Sequence, residues 1–302
     1  MSYRGRFAPS PTGPLHFGSL VAASASYLQA RHSDGLWHLR VEDIDPPREI
    51  AGATDSILTT LEQYGFEWDG SVLYQSQRLD IYREVANELV KDDLAYFCTC
   101  SRKQIRATAV QGPGGPIYPG NCREKKHPGS VDTSIRLVSD DRNIHFSDLI
   151  QGQYDEQLNL FCGDYIIYRS GNLPAYQLAV VVDDAAQQIT EVFRGSDLIT
   201  STSRQIVLQQ QLGYSTPTYA HHPIAINQDG QKLSKQTFAS AITADDAPAQ
   251  LWRALSFLGQ RPPTELKTLD LLTIWEWAIK NWSLAAIPSK LEIAENIALD
   301  NA

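Results

Sequence analysis

The chain has 302 residues, 42% of them hydrophobic and 20% charged, enough for about two domains of roughly 100–200 residues; a disulfide-stapled peptide, a fibre and a disordered tail are excluded. Its 26 lysines and arginines face 35 acids, a net charge of −9, which disfavours binding to nucleic acid through an overall positive field and leaves room only for a local basic patch. The N-terminus lacks the apolar stretch of a signal peptide and no apolar run reaches about 18 residues, so a cytoplasmic chain with no membrane contact is expected.

A short strand at residues 5–8 runs into Pro9-Ser10-Pro11-Thr12-Gly13-Pro14, after which small and apolar residues recur at helical spacing over 18–31. Trp37, Leu39 and Val41 alternate with His38, Arg40 and Glu42, the period of a strand. Ile50, Ala53, Ile57, Leu58 and Leu61 mark one face of a helix that Gly65 ends. Strand, helix, strand, helix implies a parallel sheet covered by helices. Ligands of such sheets bind beyond the carboxyl ends of the strands, where Ala8-Pro9-Ser10 and Glu42-Asp43 lie.

From Leu79 the character changes. An amphipathic helix (Leu79, Tyr82, Val85, Ala86, Leu89), Cys98-Thr99-Cys100, a Gly/Pro-rich stretch at 112–116 and β-like runs at 134–138, 144–146 and 165–168 predict an inserted subdomain. Near Pro174 the α/β pattern resumes, with an apolar run at 178–182, a strand-like 189–193 and a helix around 201–212. Beyond Ser240 the chain is expected to be helical, and it carries Trp252, Trp275, Trp277 and Trp282. The expected divisions are 1–78, the first half of the α/β domain; 79–172, the insert; 173–239, the second half; and 240–302, a helical domain.

His16 stands where the first helix begins, and the positive end of a helix with its unpaired N–H groups suits a phosphate; Gly13 and Gly18 leave room for a close approach. Lys232-Leu233-Ser234-Lys235 follows a turn signal, Asn227-Gln228-Asp229-Gly230, and makes a cation loop able to close on phosphates. Each alone is equally a capping histidine or a solvated loop; the pair points to phosphoryl chemistry. Cys98, Cys100 and Cys122 offer three thiolates, and tetrahedral zinc needs a fourth ligand, for which His127 is the ordinary candidate. Cys162 is expected to be a buried small residue. Arg102, Lys103, Arg106, Arg123, Lys125 and Lys126 surround the thiols with Glu124 as the acid among them, a basic patch suited to RNA phosphates.

The segments around His16 and at Lys232 to Lys235 belong to an ordered set of groupings that carries a family resemblance. Arg6-Phe7-Ala8-Pro9-Ser10-Pro11-Thr12-Gly13 with Leu15-His16-Phe17-Gly18, then Val41-Glu42-Asp43-Ile44-Asp45, Val181-Val182-Asp183-Asp184, Val192-Phe193-Arg194-Gly195-Ser196-Asp197 and Lys232-Leu233-Ser234-Lys235 follow in this order over about residues 4–240. Together they resemble class I glutamyl-tRNA synthetases, whose adenylate-forming signatures correspond to the first and last of these segments. The resemblance implies an α/β fold with a class I synthetase Rossmann-like parallel sheet, an inserted zinc-containing α+β subdomain that grips RNA, and a small C-terminal helical domain that contacts an RNA stem. It also implies that a glutamate carboxylate attacks the α-phosphate of ATP with Mg²⁺ assisting. His16 and Lys235, and secondarily Lys232, would stabilise charge on the phosphates. ATP would be held by Pro9, Thr12, Gly13, His16, Gly18, Ser19 and Lys235. Glutamate would be held by Arg6, Ser10, Glu42, Tyr176 and Arg194, the two arginines clamping the side-chain carboxylate and Glu42 receiving the ammonium group.

One position departs from the family pattern: Val180 stands where an asparagine is expected, removing a polar contact to glutamate. The resemblance implies Tyr118 as the fourth ligand of a structural zinc held by Cys98, Cys100 and Cys122. The short remainder after Lys235 leaves no expected anticodon-binding domain. In this the chain is similar to a truncated branch of the family that transfers glutamate to the queuosine base at the wobble position of tRNA(Asp). The expected partners are L-glutamate, ATP and tRNA(Asp) carrying queuosine, with the chain a monomer. The alternatives are a truncated synthetase charging a tRNA acceptor end and a non-catalytic relative that binds RNA or glutamate.

Overall fold

A computed structural model describes residues 2–113, 115–227 and 241–294. The chain opens with β1 (Arg4–Phe7), α1 (Phe17–His32), β2 (Leu36–Val41), α2 (Ala53–Gln63) and β3 (Leu73–Tyr74). β1 and β2 pair in parallel with Arg6 opposite His38, and β3 adds in parallel to β2. α1 is buried on most sides, and Ala23, Ser24, Ala25, Ser26 and Ala30 let it lie close to its neighbours. α2 begins only after Gly52, whose φ of +76° breaks the helical path, so Ile50 falls outside the helix and is 56% exposed. Its other end meets the expectation, with Gly65 at φ +75°.

The next segment contains α3 (Leu79–Lys91), β4 (Ala95–Cys98), α4 (Arg102–Thr108) and the two-residue strands β5 (Gln111–Gly112) and β6 (Gly115–Pro116). It continues with β7 (Ser134–Leu137), β8 (Asn143–Asp148), β9 (Gly152–Gln157), α5 (Leu158–Phe161), β10 (Tyr165–Arg169) and β11 (Leu173–Pro174). β11, β10, β7 and β4 form an antiparallel sheet in that order. Tyr82, Val85, Ala86 and Leu89 of α3 share a core with Ile135, Leu137 and Ile167 of this sheet. The β8–β9 hairpin joins a different sheet, described next.

The last part comprises α6 (Tyr176–Ala186), β12 (Glu191–Gly195), α7 (Ile199–Gln211), β13 (Thr218–His222), β14 (Ile224–Ile226), α8 (Ala247–Phe257), α9 (Leu271–Asn281) and β15 (Glu292–Ala294). The apolar run at 178–182 lies inside α6, buried along its length, which is why it shows no helical period. β12 and β13 pair in parallel, and β8 joins β13 with Asp148 opposite Tyr219. The two parallel sheets meet at β1 and β12, where the Thr190 N–H donates to the Arg4 carbonyl at 2.9 Å. Helices α8 and α9 pack onto α1 rather than on a core of their own. The Trp275 ring lies 5.0 Å from Tyr27 and 4.9 Å from Phe66, and its indole N–H donates to the Tyr64 carbonyl. Among the described residues no helix is long and apolar enough to cross a membrane.

Candidate functional site

A cavity of about 740 Å³ opens beyond the carboxyl ends of β1, β2, β12 and β13, where a doubly wound sheet leaves a crevice. It gathers Arg6, Pro9, Ser10 and Thr12 from the loop after β1, His16, Gly18 and Ser19 from the start of α1, and Glu42 from the end of β2; Tyr176 of α6 and Arg194 of β12 complete it. Every expected ATP and glutamate residue except Gly13 and Lys235 is therefore brought to one place. Gly13 does not line the cavity; it is buried in the turn at φ +130°, a conformation few other residues adopt. Lys232 and Lys235 lie outside the described residues. Val180 does not line the cavity either; it is 1% exposed, in the apolar core beneath α6.

His16 is the N-cap of α1, and its Nδ1 accepts the Ser19 N–H at 3.4 Å. In the neutral ring this puts the proton on Nε2. The helix start adds partial positive charge at the same spot.

Two aspartates of α6 neutralise the buried arginines behind the cavity. Asp184 accepts from Arg6 Nε at 3.1 Å and from Arg40 at 2.6 Å, while Arg40 also donates to Gln187. Asp183 accepts from Arg78 at 2.7 Å, Tyr82 at 2.7 Å and Gln75 at 2.8 Å. Burial alone would raise the Asp184 carboxyl, but Arg6 and Arg40 outweigh it and hold the group below its usual range. Glu42 goes the other way. Burial pushes it up to about 7, against the pull of Arg40 and Arg6.

Arg194 has no carboxylate at ion-pair distance among the described residues. Its Nε donates to His221 Nε2 at 2.9 Å, one terminal nitrogen donates to the Tyr176 hydroxyl at 3.2 Å, and the other donates to Thr202 at 3.0 Å and the Leu198 carbonyl at 3.3 Å. His221 in turn donates from Nδ1 to Asp148 at 2.6 Å, both side chains being fully buried. Asp148, His221, Arg40 and the role of Asp184 escape a motif-by-motif reading of the sequence. Arg40 alternates with apolar neighbours on β2, and only burial of both faces of that strand would have flagged it.

The second candidate centre lies away from the cavity. Ligand atoms of Cys98, Cys100 and Cys122 all fall within 4.8 Å of one another. The Tyr118 hydroxyl lies 3.3 Å from the Cys98 sulfur and 3.4 Å from that of Cys100, and the Cys100 and Cys122 sulfurs are 3.5 Å apart. Tetrahedral zinc with bonds of about 2–2.3 Å separates its ligand atoms by roughly 3.3–3.8 Å, so three thiols and one phenol oxygen fit such an ion. The Tyr118 ring is held in place by the Arg136 guanidinium, 3.8 Å above it, and Arg136 also donates to the Cys98 sulfur. Burial would raise the Cys122 thiol, but hydrogen bonds from the Thr99 backbone, Tyr118, Cys100 and His127 lower it to about 6. The Tyr118 hydroxyl thus faces all three cysteines, accepting the Cys122 N–H at 3.2 Å as well. All six expected cations, Arg102, Lys103, Arg106, Arg123, Lys125 and Lys126, are exposed, and Arg123 also pairs with Asp164.

Residues 2–273 match the family described as tRNA synthetases class I (E and Q), catalytic domain. The chain is 50% identical over 287 residues to the glutamyl-Q tRNA(Asp) synthetase of Chromobacterium violaceum, covering 95% of this chain and 96% of that one. It is also 51% identical over 288 residues to the protein of that name from Dechloromonas aromatica, with 95% and 96% covered. Among solved structures, a glutamate-tRNA synthetase from Elizabethkingia anophelis superposes with a TM-score of 0.78 over 99% of this chain and 69% of that one, at 23% identity, a likeness of fold.

Proposed function

The chain belongs to the class I tRNA synthetases (E and Q) and is a ligase of the aminoacyl-tRNA synthetase type, and from that premise we propose that it activates glutamate with ATP in the absence of tRNA and transfers the glutamyl group to the queuosine base of tRNA(Asp). The observation that carries this reading is one cavity holding two buried guanidinium groups, Arg6 and Arg194, an uptitrated Glu42 and a helix start capped by His16. The guanidinium groups suit a side-chain carboxylate; glutamine would leave them facing a neutral amide. Glu42 suits the ammonium group, whose arrival favours the ionised carboxylate. Pro9, Thr12, Gly18 and Ser19 line the same cavity with His16 and would hold ATP, while Ser10 and Tyr176 would join the arginines around glutamate.

In the first step an oxygen of the glutamate α-carboxylate bonds to the α-phosphorus of ATP as the bond to the β-phosphate oxygen breaks and pyrophosphate leaves. His16 Nε2–H and, in this proposal, Lys235 and Lys232 stabilise the growing negative charge; no strong acid or base is required. Mg²⁺ would neutralise charge on the departing pyrophosphate. In the second step a hydroxyl of the queuosine cyclopentenediol attacks the acyl carbon, forming an ester and releasing AMP and a proton. Zinc on Cys98, Cys100, Cys122 and Tyr118 would stiffen the segment that carries the exposed cations, which would hold RNA phosphates. The protein would work as a cytoplasmic monomer.

Labelled glutamate offered to tRNA(Asp) with and without queuosine tests the acceptor. Label is expected only on the queuosine-containing RNA; equal labelling of both, or labelling of tRNA(Glu) alone, would overturn it. Lys235→Ala is expected to lower kcat for activation more than it raises the glutamate KM, since its charge acts mainly in the transition state.

A further inference from the structure

Arg194 is 5% exposed and lies next to a cavity in which its charge must be available to a ligand. A buried guanidinium normally sits against a carboxylate, as Arg6 does. Arg194 instead meets the edge of an imidazole, and the carboxylate stands on the far side of that ring. We propose that Asp148 and His221 are positioning residues for substrate recognition: Asp148 fixes the His221 tautomer so that Nε2 stays an acceptor, and that acceptor aims the Arg194 guanidinium at the side-chain carboxylate of the amino-acid substrate. The inference rests on the reading of Arg194 as the carboxylate clamp.

The hydrogen bonds around Asp148 leave one solution. Its Oδ1 accepts three backbone N–H groups, from Ile150 at 3.0 Å, Gln151 at 2.9 Å and His221 at 3.2 Å, and so acts only as an acceptor and carries no proton. Oδ2 faces His221 Nδ1 at 2.6 Å and takes its proton. Nε2 is left as a lone pair, which the Arg194 Nε–H requires. Protonation of the ring would set two donors against each other. Burial, with the charge of Arg194 and the neighbouring His222, lowers His221 to about 4 despite its bond to Asp148, so the ring is neutral under working conditions. Asp148 is contributed by β8, from the segment between the two halves of the sheet; the parallel pairing of β8 with β13 sets it opposite Tyr219, two residues before His221, so that its carboxylate reaches the His221 ring.

Asp148→Asn isolates the effect. The three backbone donors hold the amide oxygen at the Oδ1 position, so the NH₂ faces His221 Nδ1 and the ring must move its proton to Nε2, opposing Arg194. Nitrogen-15 NMR of labelled histidines in the full-length protein is expected to show Nδ1–H at His221 in the native chain and Nε2–H in the variant. Glutamate-dependent ATP–pyrophosphate exchange is expected to show a glutamate KM raised at least about tenfold, with the ATP KM changed by less than about twofold. A second pair of variants covers the case in which Asp148→Asn fails to fold. His221→Gln retains an acceptor oxygen towards Arg194 and is expected to keep a lower glutamate KM than His221→Leu. An Nε2–H tautomer in the native protein, a tautomer switch without a KM change, or equal KM values for the two His221 variants would each overturn the proposal. Failure of the underlying reading looks different: Arg194→Ala then leaves the glutamate KM unchanged while the tautomer measurement still gives its answer.

Discussion

Arg6 and Arg194 enter one cavity from the two halves of the chain, yet their charges are held in opposite ways. Arg6 lies against Asp184, a carboxylate it shares with Arg40, inside a set of direct ion pairs that also takes in Asp183 and Arg78. Arg194 is backed by a neutral imidazole, with Asp148 one ring further away. A carboxylate in contact cancels much of a guanidinium's field in a low-dielectric interior, whereas a counter-charge at one remove leaves more of it for a ligand. In the proposed function the Arg6 wall would then be chiefly scaffold and the Arg194 wall chiefly receptor.

Removing the shared carboxylate tests the scaffold wall most severely. Asp184→Ala leaves Arg6 buried without its anion and Arg40 with only Asp183 at 4.0 Å, and is expected to cost about 3–5 kcal/mol of stability, read from denaturant midpoints; an unchanged midpoint would dissolve the distinction between the walls. Arg194→Ala comes next. It is expected to raise the glutamate KM by about 10- to 100-fold, the equivalent of about 1.5–3 kcal/mol of charge-assisted bonding, with a smaller loss of stability than Asp184→Ala. A larger KM effect from Arg6→Ala than from Arg194→Ala would reverse the assignment.

Glu42 sharpens the comparison through pH. Its folded value of about 7 lies above the ordinary 4.5, so the native state holds a proton that the unfolded chain has lost; this term's contribution to stability falls as pH rises from 4.5 to 7 and stays low above that. Glu42→Gln removes the term, and at pH 8 the variant is expected to be more stable than the native protein by about 1–3 kcal/mol while binding glutamate at least about tenfold less well. In the native chain the glutamate KM is expected to fall between pH 6 and pH 8 as the carboxylate ionises. The smallest effect on activation is expected at the thiol centre. A chelator should lower the melting temperature and weaken transfer to RNA, yet leave the glutamate KM in pyrophosphate exchange within about twofold. A large rise in that KM would mean the two centres are coupled.

Helices α2 and α3 are legible because each has one dry face, so period 3.6 stands out; β2 shows period 2 because polar side chains alternate along it although Arg40 is buried too. α6 is not legible in this way, since burial along its whole length erases the pattern over 178–182. Gly52 displaced the start of α2 past Ile50 for a local reason that apolar spacing does not encode. The site shows the same divide. Residues that touch the cavity cluster in contiguous motifs after β1, β2 and β12 and could be named from the chain, whereas the residues that hold them could not. Asp148 and His221 are separated by 73 positions and meet only because β8 leaves its own segment to pair beside β13. The basic residues near the thiols were visible as a cluster, but the pairing of Arg123 with Asp164 depends on a fold contact 41 positions away.

The most direct test of the account is ATP–pyrophosphate exchange with purified protein in the absence of any RNA, comparing glutamate with glutamine. The account predicts exchange that depends on glutamate, with glutamine at least about a hundredfold poorer in kcat/KM because it leaves the buried guanidinium groups unmatched. Exchange that requires RNA, or equal exchange with both amino acids, would contradict it.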